Sequence, residues 1–277
     1  MKGSVWMEFN HVFFAMGLTV LAGISTGIGS AIAFFARRTN TKFLSAALGF
    51  SAGVMIYISM TEIFTEAKNS LVNAMGESAG EWMTVLSFFS GILLAAVIDR
   101  LVPEQGNPHE VKNIEDFDEA NKKTDTTKLM RMGTMTALAI AIHNFPEGMV
   151  TFASALQNPS LGIAIAVAIA IHNIPEGIAV SIPIYYATGD KMKAFRLSFL
   201  SGLSEPLGAL IGYLILMPFL NEMVFGIIFA MVAGIMLFIS LDELLPTARE
   251  YGEAHLSIYG LTLGMMVMAV SLLLFIN

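Results

Sequence analysis

Cysteine is absent from this chain, which excludes disulfides, thiolate metal sites and cysteine nucleophiles together. Charge is scarce: 13% of the 277 residues are charged and 55% are apolar, and the mean hydropathy of +0.69 is too high for a soluble domain of this length. The sequence pI of about 5.2 leaves no basic surface, so no nucleic-acid partner is expected. A lipid bilayer is the expected solvent.

Apolar runs long enough to cross a hydrocarbon layer of about 30 Å occur at 12–36, 43–66, 83–102, 129–156, 160–187, 194–217, 224–246 and 257–276. Ala31-Ile32-Ala33 imitates a signal-peptidase site. The run before it is too long for a signal core and ends at Arg37-Arg38, so it is read as a span. Residues 103–128 form the only long polar stretch, with seven acids and four bases, and are expected to be a solvated, mobile loop. The expectation is one all-α integral membrane domain over 1–277 with eight transmembrane helices.

With eight spans, alternate loops share a side. Loops 37–42, 100–131, 188–196 and 247–256 hold thirteen of the fifteen Lys and Arg residues, leaving only Lys2 and Lys68 opposite. The positive-inside rule then places both termini outside the cytoplasm and the acidic loop inside.

Two near-identical hexapeptides stand in the fourth and fifth spans: His143-Asn144-Phe145-Pro146-Glu147-Gly148 and His172-Asn173-Ile174-Pro175-Glu176-Gly177. In each, His and Glu at i and i+4 share a helix face, and Asn is rotated about 100° from His. The short turn Gln157-Asn158-Pro159-Ser160 makes the spans antiparallel. Both motifs lie about fifteen residues from it, so at about 1.5 Å per residue both sit roughly 20 Å deep, near the bilayer centre. Pro146 and Pro175 cannot donate to the carbonyls of Ile142 and Ile171. Such broken turns are tolerated at membrane depth where other partners or a wet cavity satisfy the freed groups.

Glu147, Glu176, Glu205 and Glu62 all fall within apolar runs. Each carboxylate at membrane depth costs about 2.5–3.5 kcal/mol, roughly 10 kcal/mol for four. No Lys or Arg stands in the apolar core of any run, so the balancing charge must be protons or a mobile ion. Imidazole, carboxylate and amide oxygen suit Zn²⁺, Fe²⁺, Mn²⁺, Co²⁺ or Cd²⁺, and the missing thiolate argues against a dedicated Cu(I) carrier. The rival classes are an intramembrane metalloenzyme and a metal sensor. The HExxH string common in membrane metalloproteases is absent, and two symmetric ligand-rich motifs favour a passing ion, so no enzyme activity and no catalytic cofactor are expected.

Ser204-Glu205-Pro206 lies at the same depth in the sixth span. Glu62, toward the outer end of the second span, and Asp242-Glu243, toward the inner end of the seventh, are candidate relays along an ion path. Met55, near the middle of the second span, is a candidate thioether ligand. Thr61-Glu62-Ile63-Phe64 is echoed in Leu241-Asp242-Glu243-Leu244, which hints at a 3+2+3 inverted repeat, an architecture associated with alternating access.

The tandem HNxPEG motifs make the chain resemble the ZIP (Zrt/Irt-like) family of divalent metal transporters, most closely its bacterial branch, over nearly its whole length. The resemblance implies an eight-helix bundle with a binuclear centre, uptake into the cytoplasm across the cell membrane, broad divalent substrates and often a homodimer. By position, one ion would be held by His143, Glu147, His172 and Glu176, with Met55 as a further ligand. The neighbouring ion would take Asn144, Glu147, Asn173, Glu176 and Glu205, with the two motif glutamates bridging. Glu62 falls where relatives carry a pathway His or Glu, and Asp242-Glu243-Leu244-Leu245-Pro246 matches the seventh-span motif. The histidine-rich loop of many relatives is missing: residues 103–128 hold only His109 among their acids.

Overall fold

A backbone in hydrocarbon has no water to bond to, so each apolar run must satisfy its own amides and carbonyls as a helix. The computed structural model describes residues 2–35, 41–101, 122–216, 221–251 and 254–276, and its regular elements are all helices among these residues. They are α1 (Lys2–Phe35), α2 (Thr41–Ile58), α3 (Phe64–Met75), α4 (Glu77–Leu101), α5 (Lys122–Gln157), α6 (Pro159–Thr188), α7 (Lys191–Gly202), α8 (Ser204–Ile211), α9 (Glu222–Ile239), α10 (Leu245–Tyr251) and α11 (Ala254–Ile276). Residues 102–121 of the acidic stretch, with His109 and Lys112, lie outside the described residues, as do Arg37 and Arg38. Lys122 to Lys128, expected in the mobile loop, are instead the start of α5.

Among the described residues, seven helical stretches are long and apolar enough to cross a membrane. They coincide with every expected span except the fourth, which lies within the 36-residue helix α5. Its threonines and the polar side chains of His143, Asn144 and Glu147 dilute its hydropathy. The outer surface is apolar, unlike that of a soluble domain, and ionisable side chains are buried. Leu93, Leu214, Leu273 and Leu274 are exposed, whereas His143, Asn144, Glu147, His172, Asn173, Glu176 and Glu205 are buried. Lipid around the outside and a polar cluster set within an otherwise apolar interior account for both halves of that pattern.

Local chemistry sets the turns. Asn158 caps α6, its side-chain oxygen accepting from Ser160 N at 3.0 Å and Leu161 N at 3.3 Å, and Pro159 takes the first helical position, where its missing N–H costs nothing. Gly189, at φ +68°, ends α6, and the Asp190 carboxylate then caps α7. Gly76, at φ +83°, turns α3 into α4. The sixth span is broken between α7 and α8 at Leu203, three residues before Pro206, which cannot donate to the Gly202 carbonyl.

Three π turns occur among the described residues: Gly212–Leu216 extends α8 in the sixth span, and the other two join helices. Ser59–Ile63 joins α2 to α3 and Ser240–Leu244 joins α9 to α10. In these two joining turns, the leading serine is buried and its hydroxyl donates to the carbonyl four residues back, to Met55 O at 2.6 Å and Met236 O at 2.7 Å. π turns inside α-helices are frequent at functional sites. They also correct the register of the sequence echo: Glu62 corresponds to Glu243, and Thr61 to Asp242.

Helices α5 and α6 form a central antiparallel pair. α1 lies along α6 and α8 along α5, while α11 packs on α2 and α9 on α4. Glycines let all four of these outer crossings close to backbone contact, two of them at the motifs. A Cβ on Gly177 would collide with the Thr26 carbonyl, and one on Gly148 with the Glu205 carbonyl. The glycine that ends each HNxPEG motif therefore seats a neighbouring helix beside the motif's ligand-type side chains.

Candidate metal centre

Because α5 and α6 are antiparallel and their motifs share a depth, the His–Glu face of one helix meets that of the other. The pairing is crossed. His143 Nε2 stands 3.3 Å from Glu176 Oε2, and His172 Nε2 stands 3.3 Å from Glu147 Oε2. Ligand atoms of His143, His172 and Glu176 all lie within 4.8 Å of one another, the spacing of groups that share an ion. The His143–Glu176 approach is an ion-pair distance without hydrogen-bond alignment, since His143 Nε2 and Glu176 Oε2 both lack a hydrogen-bond partner.

The asparagines face outward from that pair toward α1 and α7. Asn173 Nδ2 donates to Ala22 O at 3.1 Å and to Glu205 Oε1, which draws the carboxylate of α8 to the motif of α6. Asn144 Nδ2 reaches Ser201 O at 3.5 Å. Each amide thus spends its NH₂ on the scaffold and leaves its oxygen free: Asn144 Oδ1 and Asn173 Oδ1 have no partner. Glu147 Oε1 and Glu205 Oε2 are likewise buried and unpartnered. Buried polar atoms are ordinarily satisfied. Oxygen and imidazole acceptors left open in one cluster form a donor set suited to a divalent transition-metal ion.

Seven of the residues singled out from sequence are therefore brought together: His143, Asn144, Glu147, His172, Asn173, Glu176 and Glu205. Met55 is fully buried in the core beside α2's contact with the centre. That contact is Ser51, one turn earlier, whose hydroxyl lies 3.4 Å from both Glu176 Oε1 and His172 O. Glu62, Asp242 and Glu243 are only half-buried and lie in the two joining π turns rather than among the motif side chains. Glu243 stands near enough to His143 to interact with it electrostatically. Ser51 and the carbonyls of Ala22 and Ser201 are participants that residue-type reasoning missed. A polar residue one turn from Met55 was the available signal for Ser51, whereas a backbone carbonyl leaves none.

The family described as ZIP zinc transporter matches residues 100–272. The chain is 62% identical over 266 residues to zinc transporter ZupT of Lysinibacillus sphaericus, covering 96% of this chain and 99% of that protein. It is 64% identical over 266 residues to the protein of the same name from Streptococcus mutans, with the same coverage. Identity to zinc transporter ZupT of Clostridium perfringens is 61%, across the whole of both chains.

Proposed function

The chain belongs to the ZIP zinc transporter family, a family of multi-pass membrane transporters rather than enzymes, and from that premise we propose that it carries Zn²⁺ into the cytoplasm through a binuclear His/Asn/Glu centre between α5 and α6. The crossed His143–Glu176 and His172–Glu147 pairs, fully buried and ringed by unpartnered oxygens, carry this reading. Two divalent ions would more than offset the three buried carboxylates of Glu147, Glu176 and Glu205 in a core whose sequence offers no Lys or Arg. Fe²⁺, Mn²⁺, Co²⁺ and Cd²⁺ fit the same donor set.

In this reading one ion sits on His143, Glu147, His172 and Glu176, with Met55 in reserve, and the other on Asn144, Glu147, Asn173, Glu176 and Glu205. A hydrated ion approaches past Glu62, exchanges water for these ligands, and leaves past Asp242 and Glu243. Eight spans with both termini outside, the fourth being α5, make the arrangement a 3+2+3 inverted repeat in a single transport domain. The paired π turns support that repeat, as does the match of α2 on α11 with α9 on α4. Midplane sites between inverted repeats are exposed alternately when one helix group rocks against the other. The resemblance adds a homodimer, which sedimentation of the purified protein in detergent tests.

The function is tested by metal influx into proteoliposomes holding a fluorescent divalent-ion reporter. Native influx of Zn²⁺ that is lost in Glu147→Ala with Glu176→Ala, at equal incorporation, is the expected result. Absence of native influx under any gradient or pH refutes transport.

A further inference from the structure

The relation that exchanges α5 with α6 also exchanges α1 with the α7–α8 pair. Ala22-Gly23-Ile24-Ser25-Thr26-Gly27-Ile28-Gly29 matches Ser201-Gly202-Leu203-Ser204-Glu205-Pro206-Leu207-Gly208 position for position, and the contacts repeat with it. Asn173 donates to Ala22 O as Asn144 donates to Ser201 O. Ser25 Oγ bonds Ala22 O at 2.5 Å, and Ser204 Oγ bonds Ser201 O at 2.6 Å. Gly29 abuts the Ile174 carbonyl as Gly208 abuts that of Phe145. By this correspondence Thr26 occupies, beside Asn144, the place that Glu205 occupies beside Asn173.

The Thr26 side chain has an independent peculiarity. Thr61, Thr84, Thr134, Thr151, Thr188 and Thr262 all satisfy their hydroxyls by donating to the carbonyl four residues back, the usual solution for threonine in a helix. Thr26 is fully buried, yet its Oγ1 has no partner. Its acceptor would be Ala22 O, which already takes Ser25 Oγ and Asn173 Nδ2. The hydroxyl instead points across to α7, lying 2.9 Å from where a Cβ on Gly202 would stand. Gly202 follows Ser201, the residue that anchors Asn144, and Asn144 Oδ1 is also unpartnered.

We infer that Thr26 supplies a neutral oxygen ligand to the ion cluster on the Asn144 side, opposite the Glu205 carboxylate on the Asn173 side. This rests on the metal-transport reading above. It makes the cluster chemically lopsided about its two-fold: one flank is anionic and the other is a hydroxyl. An ion that shifts between the flanks exchanges a carboxylate for a hydroxyl, so residue 26 sets how tightly the neutral flank holds it.

The test compares the native chain with Thr26→Val, which keeps the shape without the hydroxyl, and with Thr26→Ser, which keeps the hydroxyl. Zn²⁺ and Mn²⁺ binding to the purified full-length protein is measured by equilibrium dialysis, alongside influx into proteoliposomes and metal-free thermal unfolding. Loss of one ligand group is expected to weaken binding by about tenfold in Thr26→Val, with metal-free stability not reduced and with Thr26→Ser close to native. Native-like binding by Thr26→Val overturns the inference, whether or not influx is seen. Equal losses in Thr26→Val and Thr26→Ser also overturn it, because they trace to packing. Absence of influx by the native chain removes transport instead, and the dialysis still decides the role of Thr26. Thr26→Ala stands in if the valine variant does not fold.

Discussion

Replacing Glu205 by Gln should move stability and metal stoichiometry in opposite directions. Glu205 is fully buried in α8, with Oε1 accepting from Asn173 Nδ2 and Oε2 unpartnered. Gln has the same shape and keeps a carbonyl oxygen for Asn173, so the hydrogen bond survives the change. Where Glu205 is ionised, removing the charge relieves about 2.5–3.5 kcal/mol of membrane burial cost. Exchanging a bond to a charged group for a neutral one returns about 1 kcal/mol of that. The metal-free variant should therefore be more stable than the native chain by roughly 1.5–2.5 kcal/mol at a pH where Glu205 is ionised, the difference between these two magnitudes, and the advantage should vanish where Glu205 carries a proton. With Zn²⁺ present the order reverses, because the second ion loses its only carboxylate from α8 and bound metal falls from two equivalents to one. Denaturant unfolding in lipid nanodiscs without metal reads the first effect, and elemental analysis after equilibrium dialysis reads the second. A metal-free variant less stable than native, or one that still binds two equivalents with native affinity, would refute the charge argument.

Gly177→Ala forces a methyl group against the Thr26 carbonyl, and parting α1 from α6 should cost about 1–3 kcal/mol in the same unfolding assay; an unchanged midpoint would mean that the crossing has slack. Ser51→Ala removes two contacts of 3.4 Å, which are long for hydroxyl bonds, so binding titrations should show at most a few-fold weakening, about 1 kcal/mol or less. Glu62→Gln and Glu243→Gln should each slow influx while leaving metal stoichiometry at its native value, and loss of an equivalent in either would move that residue from the path into the centre. Protons compete with metal for carboxylates and imidazoles, so influx should weaken as external pH falls. Rates that hold steady down to about pH 5 contradict carboxylate ligation.

The lipid solvent, the helical class and the common level of the two motifs were legible because each follows from one segment or one short turn. Run length, the i to i+4 spacing and distance from a capped turn need no knowledge of neighbours. The seven clustered ligand-type residues were legible for the same reason, since carboxylates and imidazoles in apolar runs are too costly to be idle. The π turns were not. Ser59–Ile63 and Ser240–Leu244 read as ordinary helix, because the widening of a π turn leaves composition unchanged, and without the two turns to anchor it the echo between Glu62 and the seventh span was aligned one residue off.

The order of amino acids by itself determined the solvent, the helices and the chemistry held at mid-depth. Only the tertiary structure decided that His143 meets Glu176 and His172 meets Glu147, that Glu205 joins through Asn173, and that the Thr26 hydroxyl lacks a partner of its own. The reason is geometric. Spacing along a helix sets which side chains share a face, but which face meets which depends on rotation and approach between helices. Those are set by backbone contacts at Gly148, Gly177, Gly29 and Gly208 with residues far away in the chain.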